Sequence, residues 1–154
     1  VQGLLIHEHL ASTYGVTLRP EQHEQVHLRS VGDMLAGVAA RDPSPLPSPR
    51  SAARRQVGVC SHFSLMHATM LRAQGIEARA RCGFGAYFEK GKFVDHWVTE
   101  YWNTDAKRWV LVDYDPALLS TSLEFWSMWA DKSRPTAAGL ELEKAGKLVR
   151  VEVK

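Results

Sequence analysis

His96-Trp97-Val98-Thr99-Glu100-Tyr101-Trp102-Asn103-Thr104-Asp105-Ala106-Lys107-Arg108-Trp109-Val110-Leu111-Val112-Asp113 is the stretch that decides the fold. Aromatic and β-branched residues crowd both sides of a short polar break, which is the composition of two strands joined by a tight loop. With Asn103 to Ala106 as a four-residue loop, Trp102 faces Lys107 and His96 faces Asp113. Directly opposed residues share a sheet face, with Cβ atoms about 4.5–5.5 Å apart. A carboxylate in that position accepts an imidazole N–H, sets the tautomer and stabilises the imidazolium.

Upstream, Ala78 to Phe88 reads as another strand, joined to Phe93–Trp102 through Glu89 to Lys92. That loop sets Arg81 opposite Glu100, a favourable charge pair across a ladder. It also sets Gly85 opposite His96, where the missing side chain leaves room for a substrate backbone. A slip of one residue in either hairpin would carry His96 to the other face. The same pleat places Cys82 away from His96, as a buried structural thiol. Further upstream, Cys60 to Gln74 reads as a helix closed by Gly75, with Phe63, Met66 and Met70 along one side. Cys60 therefore opens a helix, where unpaired N–H groups and the helix dipole stabilise a thiolate. Cys60, His96 and Asp113 together are the parts of a thiol-nucleophile site.

The flanks organise around this core. Leu4 to Tyr14 reads as a short helix stopped at Gly15. Pro20 opens a second helix, whose stripe is Val26, Val31, Met34, Leu35 and Val38. Pro43, Pro45, Pro47 and Pro49 break regular structure. Asp42 to Arg55 is a long loop leading into Cys60, a candidate substrate lid, with Arg50, Arg54 and Arg55 as a solvated basic patch. Leu123 to Ala130 reads as a packing helix and Leu148 to Lys154 as a final strand. The expectation is one domain: N-terminal helices over 1–41, the Pro-rich loop over 42–55, a core over 56–116 and a C-terminal helix and strand over 117–154.

Composition bounds the function. The 154 residues are 45% hydrophobic and 23% charged, as in a globular protein. A net charge of +2 is too small to point to nucleic acid. No apolar run approaches the roughly 20 residues that span a bilayer. Two cysteines make no disulfide framework. With no signal-peptide pattern at Val1 to His9, this predicts reduced thiols and a cytoplasmic location.

Gly58-Val59-Cys60, then Leu71-Arg72-Ala73-Gln74-Gly75-Ile76-Glu77-Ala78-Arg79, then His96 to Glu100, then Trp109 to Asp113 resemble, in order and spacing, successive blocks of the transglutaminase-like superfamily. The resemblance covers about residues 56–116 and is nearest to the small bacterial members, with Arg81-Cys82-Gly83-Phe84-Gly85 and Asp95-His96-Trp97 as finer likenesses. It implies a papain-like α+β core with the nucleophile helix packed on an antiparallel sheet. It implies a catalytic triad of Cys60, His96 and Asp113, and acyl transfer through a thioester. The donor would be a peptide, amide or thioester and the acceptor water or an amine, with no metal or organic cofactor. The Trp often found beside the family's cysteine is absent. The backbone N–H of Cys60 is one oxyanion donor, and Gln56 is the candidate for a second. Asp115 would replace Asp113 if the register moved by two, but the Trp-Val-x-x-Asp spacing favours Asp113.

Three other readings compete. His23-Glu24-Gln25-Val26-His27 has the H-E-x-x-H form of a helical zinc site with Glu24 as base. Cys60, His62, His67, Cys82 and His96 are metal-ligating residue types, but at spacings that fit no common zinc pattern. His62, two residues from Cys60 on a helix, is expected to point elsewhere and be solvated. The third reading is a catalytically inactive scaffold that keeps the fold for binding.

Overall fold

The structure, a computed structural model, describes residues 1–85 and 93–113 and the backbone of residues 148–150. Strand β1 (Leu5–His7) stands where a helix was expected. Leu4, Leu5 and Ile6 are consecutive and all buried, which suits a strand covered on both faces. β1 pairs in parallel with β2 (Gln56–Gly58), immediately before Cys60. A 3-10 helix over Glu8–Tyr14 follows β1 and stops at Gly15, whose φ is 70°. The expected second helix is divided. Helix α1 (Pro20–His23) passes into a 3-10 turn over Glu24–His27, and α2 (Val31–Arg41) starts afresh at Ser30, whose Oγ accepts the Asp33 N–H at 3.0 Å.

The loop over 42–55 closes on itself. Arg50, expected in solvent, is 3% exposed, and its guanidinium donates to the carbonyls of Asp42, Ser44, Pro45, Leu46 and Ser48. Its backbone N–H donates to Gly3 O at 2.9 Å. A segment gathered round a buried cation and tied to Gly3, just ahead of β1, is braced as a strut.

Helix α3 (Cys60–Ala73) ends as expected, with Gly75 left-handed at φ 78°. Phe63 and Met66 pack with Leu4, Leu5, Met34 and Val38 into the main core. A smaller cluster of Ile6, Ala11 and Val57 lies under the N-terminal segments. α3 lies on a sheet with the order β5-β4-β3-β6: β3 (Ala78–Gly85), β4 (Val94–Asn103), β5 (Arg108–Val112) and β6 (Leu148–Arg150). Every pairing in it is antiparallel. The seam is polar: Ser64 Oγ donates to Val98 O at 2.5 Å, and Thr99 Oγ1 donates to Ser64 O at 3.2 Å. The fold is the expected α+β arrangement of a helix that opens at Cys60 on an antiparallel sheet. The helix expected over 123–130 and the last four residues of the expected final strand lie outside the described residues.

Both hairpins pair two residues away from the expected register. Gly83, not Gly85, faces His96, and Arg79, not Arg81, faces Glu100. Across the second hairpin Trp102 faces Trp109, because the loop is Thr104 to Lys107 and starts one residue later than expected. Asn103 ends β4 and closes that turn by accepting the Ala106 N–H at 2.9 Å, while Lys107 takes a positive φ of 48°. Moving a loop by one residue moves facing partners by two, so every side chain keeps its face.

Candidate active site

Local sequence sets the start of α3. Gly58 precedes it because a Cβ there would lie 2.9 Å from His62 Cβ. His62, at the third helical position, turns its ring back: Nδ1 accepts the Val59 N–H at 3.2 Å. That is the role Glu or Gln plays in a capping box. With Nδ1 accepting, Nε2–H donates to Leu28 O at 3.0 Å. The ring is 3% exposed, and burial is the main force that lowers its pKa, so it is neutral at neutral pH. His62 is thus a buried peg between the Leu28 loop and the turn carrying Cys60, and the expectation of a solvated histidine is corrected.

Ser64 touches Val98 and Thr99, and Cys60, one helical turn earlier, lies beside the start of β4. There its side chain is near enough to His96 to favour the charged imidazole. His96 is 4% exposed, with Nε2 2.7 Å from Asp113 Oδ2. Asp113 is 7% exposed and directly follows β5. The displaced register would set position 115 opposite His96, but the ladder ends at the Thr99–Val112 pair, and Asp113 reaches the ring from just beyond it. Residue 115 lies outside the described residues. Burial opposes charging of His96 and is the largest single influence on it. The hydrogen bonds and negative charges of Asp113 and Cys60 together outweigh it and hold the imidazole pKa up at about 10.

Beside this trio, Glu100 is 1% exposed and holds Arg79 at 2.7 Å, with Arg81 at 3.5 Å across the diagonal. Arg79 also lies 4.2 Å over the Trp109 ring. A buried carboxylate shared by two guanidiniums braces β3 against β4 on the face that carries His96.

The remaining sequence expectations fare differently. Gln56 is 1% exposed and inside the protein: Nε2 donates to Gln25 Oε1 at 3.0 Å and to Val57 O at 3.2 Å, while Oε1 accepts from Arg41 at 2.5 Å. With both amide hydrogens engaged it is a structural glutamine and supplies no oxyanion donor. Gly85 faces Val94, so Gly83 is the glycine beside His96. Cys82 pairs with Trp97 and so lies across the pleat from His96, but it is partly exposed, not buried. Desolvation, then the nearby Asp95 and Cys60 side chains, raise its thiol pKa. Cys60 and Cys82 are both free thiols.

The H-E-x-x-H segment does not form the site its spacing promises. His23 ends α1 and His27 ends the 3-10 turn, so the pair never shares one α-helical face. His23 Nδ1 instead contacts Glu8 Oε1 at 2.7 Å. Among the described residues, no group of three or more His, Cys, Asp or Glu side chains is arranged to hold a metal ion, the five-residue Cys and His set included.

The sequence profile of the transglutaminase-like superfamily matches residues 21–114. The chain belongs to the transglutaminase-like superfamily. The match takes in Cys60, His96 and Asp113, and also the α1–α2 region, which lies ahead of the four sequence blocks. No curated protein sequence matches the chain. Among solved structures, it is similar to the periplasmic domain of TgpA from Pseudomonas aeruginosa. The ethylmercury-bound form is 23% identical over 60% of this chain and 41% of that one, at a TM-score of 0.31. A second structure of that domain is 19% identical over 75% and 50%, at 0.33. A candidate cysteine protease from Cytophaga hutchinsonii is 17% identical over 69% and 36%, at 0.32. This superfamily member thus spans half or less of the length of each of those structures. Among its described residues, no helix is long and apolar enough to cross a membrane.

Proposed function

We propose that this domain carries out thiol-dependent acyl transfer through a thioester on Cys60, with water as the acceptor. The thiolate attacks the carbonyl carbon of a peptide or amide, and the carbonyl electron pair moves onto oxygen. His96, as imidazolium, gives its proton to the leaving nitrogen as the C–N bond breaks, which leaves a thioester and a neutral imidazole. Water then attacks the thioester while His96 takes its proton, and the thiolate departs from the free acid. An amine in place of water gives the transfer reaction of the same intermediate. Asp113 acts through His96, by holding the ring and stabilising its charged form. The N–H of Cys60, at the first helical position, has no acceptor inside the helix and serves the oxyanion.

One observation carries the reading: a buried imidazole bonded to a buried carboxylate at 2.7 Å, near a helix-terminal thiol that favours its charged form. The partial exposure of Cys60 gives water a route to the thioester and favours hydrolysis. Two free thiols, one of them a nucleophile, suit a reducing compartment, and on that ground we place the activity in the cytoplasm. Recovery of the tagged protein from a periplasmic fraction would overturn that location.

Intact-mass trapping tests the chemistry. Wild type and Cys60→Ala are incubated with a pool of peptides, amides and thioesters. An acyl adduct on the wild type alone is expected, and its mass identifies the donor. Hydroxylamine added to the mixture should divert the acyl group to a hydroxamate. A wild type that never gains mass, whose Cys60 also resists iodoacetamide at neutral pH, would return the domain to the binding-scaffold reading.

A further inference from the structure

We propose that the groove next to Cys60 is the subsite for the acyl donor's side chain, and that the donor is a peptide with a large apolar residue at the scissile carbonyl and a carboxylate one or two residues away. The proposal rests on Cys60 as nucleophile and adds the substrate class to that reading.

The groove encloses about 590 Å³, a size that holds a side chain with its flanking backbone. It forms where the Leu28 loop meets the start of α3 and the sheet. Val59 and Ser61, the two residues on either side of Cys60, both stand in its wall, so the groove runs alongside the start of α3, although Cys60, His96 and Asp113 do not themselves line it. Leu28, Leu65, Ala80 and Trp97 supply apolar walls. Trp97 follows His96 in β4 with its side chain on the other face of the sheet, and Ala80 faces Thr99 across the ladder on that same face, where its small side chain keeps the space open. An apolar side chain is the occupant that such walls desolvate favourably.

The rim supplies the charge. Among the described residues no acidic side chain lines the groove, whereas Arg29 and His27 do. Arg29 Nη1 donates to Val26 O at 3.0 Å and to Leu28 O at 3.4 Å, which fixes the guanidinium at the opening. A guanidinium has five N–H donors, so two such bonds leave others to meet a carboxylate. Glu24 lies 4.0 Å from His27, which leaves Arg29 as the stronger positive feature of the rim. His62 in the back wall is neutral and its ring nitrogens are engaged, so it contributes shape and no competing charge.

The test compares alkylation of Cys60 by iodoacetamide, which needs no groove, with alkylation by short peptidyl chloromethyl ketones, read by intact mass over time. The ketones carry Phe, Leu or Gly next to the reactive carbonyl and Glu or Lys one residue before it. Wild type, Arg29→Gln and Arg29→Glu should react with iodoacetamide at equal rates. Phe or Leu ketones should react about tenfold or more faster than Gly, the discrimination an apolar pocket supports. Glu should outpace Lys by about three- to fivefold, the size of a partly exposed ion pair. Arg29→Gln should erase that preference and Arg29→Glu invert it. Labelling by iodoacetamide with ketone rates blind to the side chain would end the groove assignment and leave the nucleophile standing. No labelling of Cys60 by either reagent would overturn both.

Discussion

His62 and Asp113 are single side chains whose removal reads out separate things. His62 spans the N-cap of α3 and the Leu28 carbonyl from a buried position, so His62→Ala leaves two backbone groups without partners. The expected loss is about 1–3 kcal/mol in urea unfolding. His62→Gln, which can still accept the Val59 N–H from the third helical position, should recover part of it. Equal midpoints for wild type and both variants would refute the peg. The His96 ring has an ordinary pKa of 6.5 and is held up at about 10, so folding favours its protonated form. The stability it contributes is fully present below about pH 6.5, declines between there and about 10, and is gone above. The urea midpoint should therefore fall over that window. Asp113→Asn should flatten the fall and lower any acyl transfer by about 10²–10⁴-fold. A midpoint that rises from pH 7 to pH 10 would contradict the assignment of charge.

At the scale of elements, a glycine and an arginine carry expectations opposite to their usual rules. Ala at an exposed helix position normally stabilises by about 1 kcal/mol over Gly. At Gly37 in α2, however, a Cβ would meet Gln56 Oε1 and come 3.1 Å from Arg41 Nη1. Gln56 is buried and held by Gln25 as well as Arg41, so it cannot swing aside without orphaning its amide. Gly37→Ala should therefore destabilise by about 1–2 kcal/mol net, and a gain in midpoint would show that Gln56 yields. Arg50→Ala removes the cation that gathers the carbonyls of 42–48. It should cost about 2–4 kcal/mol and open that segment to proteolysis, while Cys60 in the folded protein alkylates at the wild-type rate. Slower alkylation would tie the loop to the site. The strands show where sequence legibility stops. Alternation of side chains names the face, so His96 and Glu100 share one face and Cys82 takes the other, as the sequence shows. Facing partners depend on which residue opens the turn. Asn103, which looks like the first loop residue, remains in β4 and closes the turn with its side chain.

For the whole molecule, the thiol reading and the zinc reading make opposite predictions. Iodoacetamide should abolish turnover and chelator should leave it intact; the reverse pair of results would point to a metal at His23 and His27. The sequence by itself determined the helix that opens at Cys60 and closes at Gly75, the three central strands and the faces of their side chains, and the resemblance carried by four ordered blocks. These are local or periodic properties, set by backbone sterics, a left-handed glycine and the two-residue repeat of a strand. Only the tertiary structure decided that Leu5–His7 is a strand, that Arg50 is buried and that Gln56 is spoken for. It alone turned His62 back to cap its own helix and brought Asp113, just beyond β5, to the ring of His96. Each of those depends on which distant carbonyls, amides and apolar groups arrive at the same place. Burial turns such encounters into obligations, because a polar group removed from water must bond to whatever the fold sets beside it.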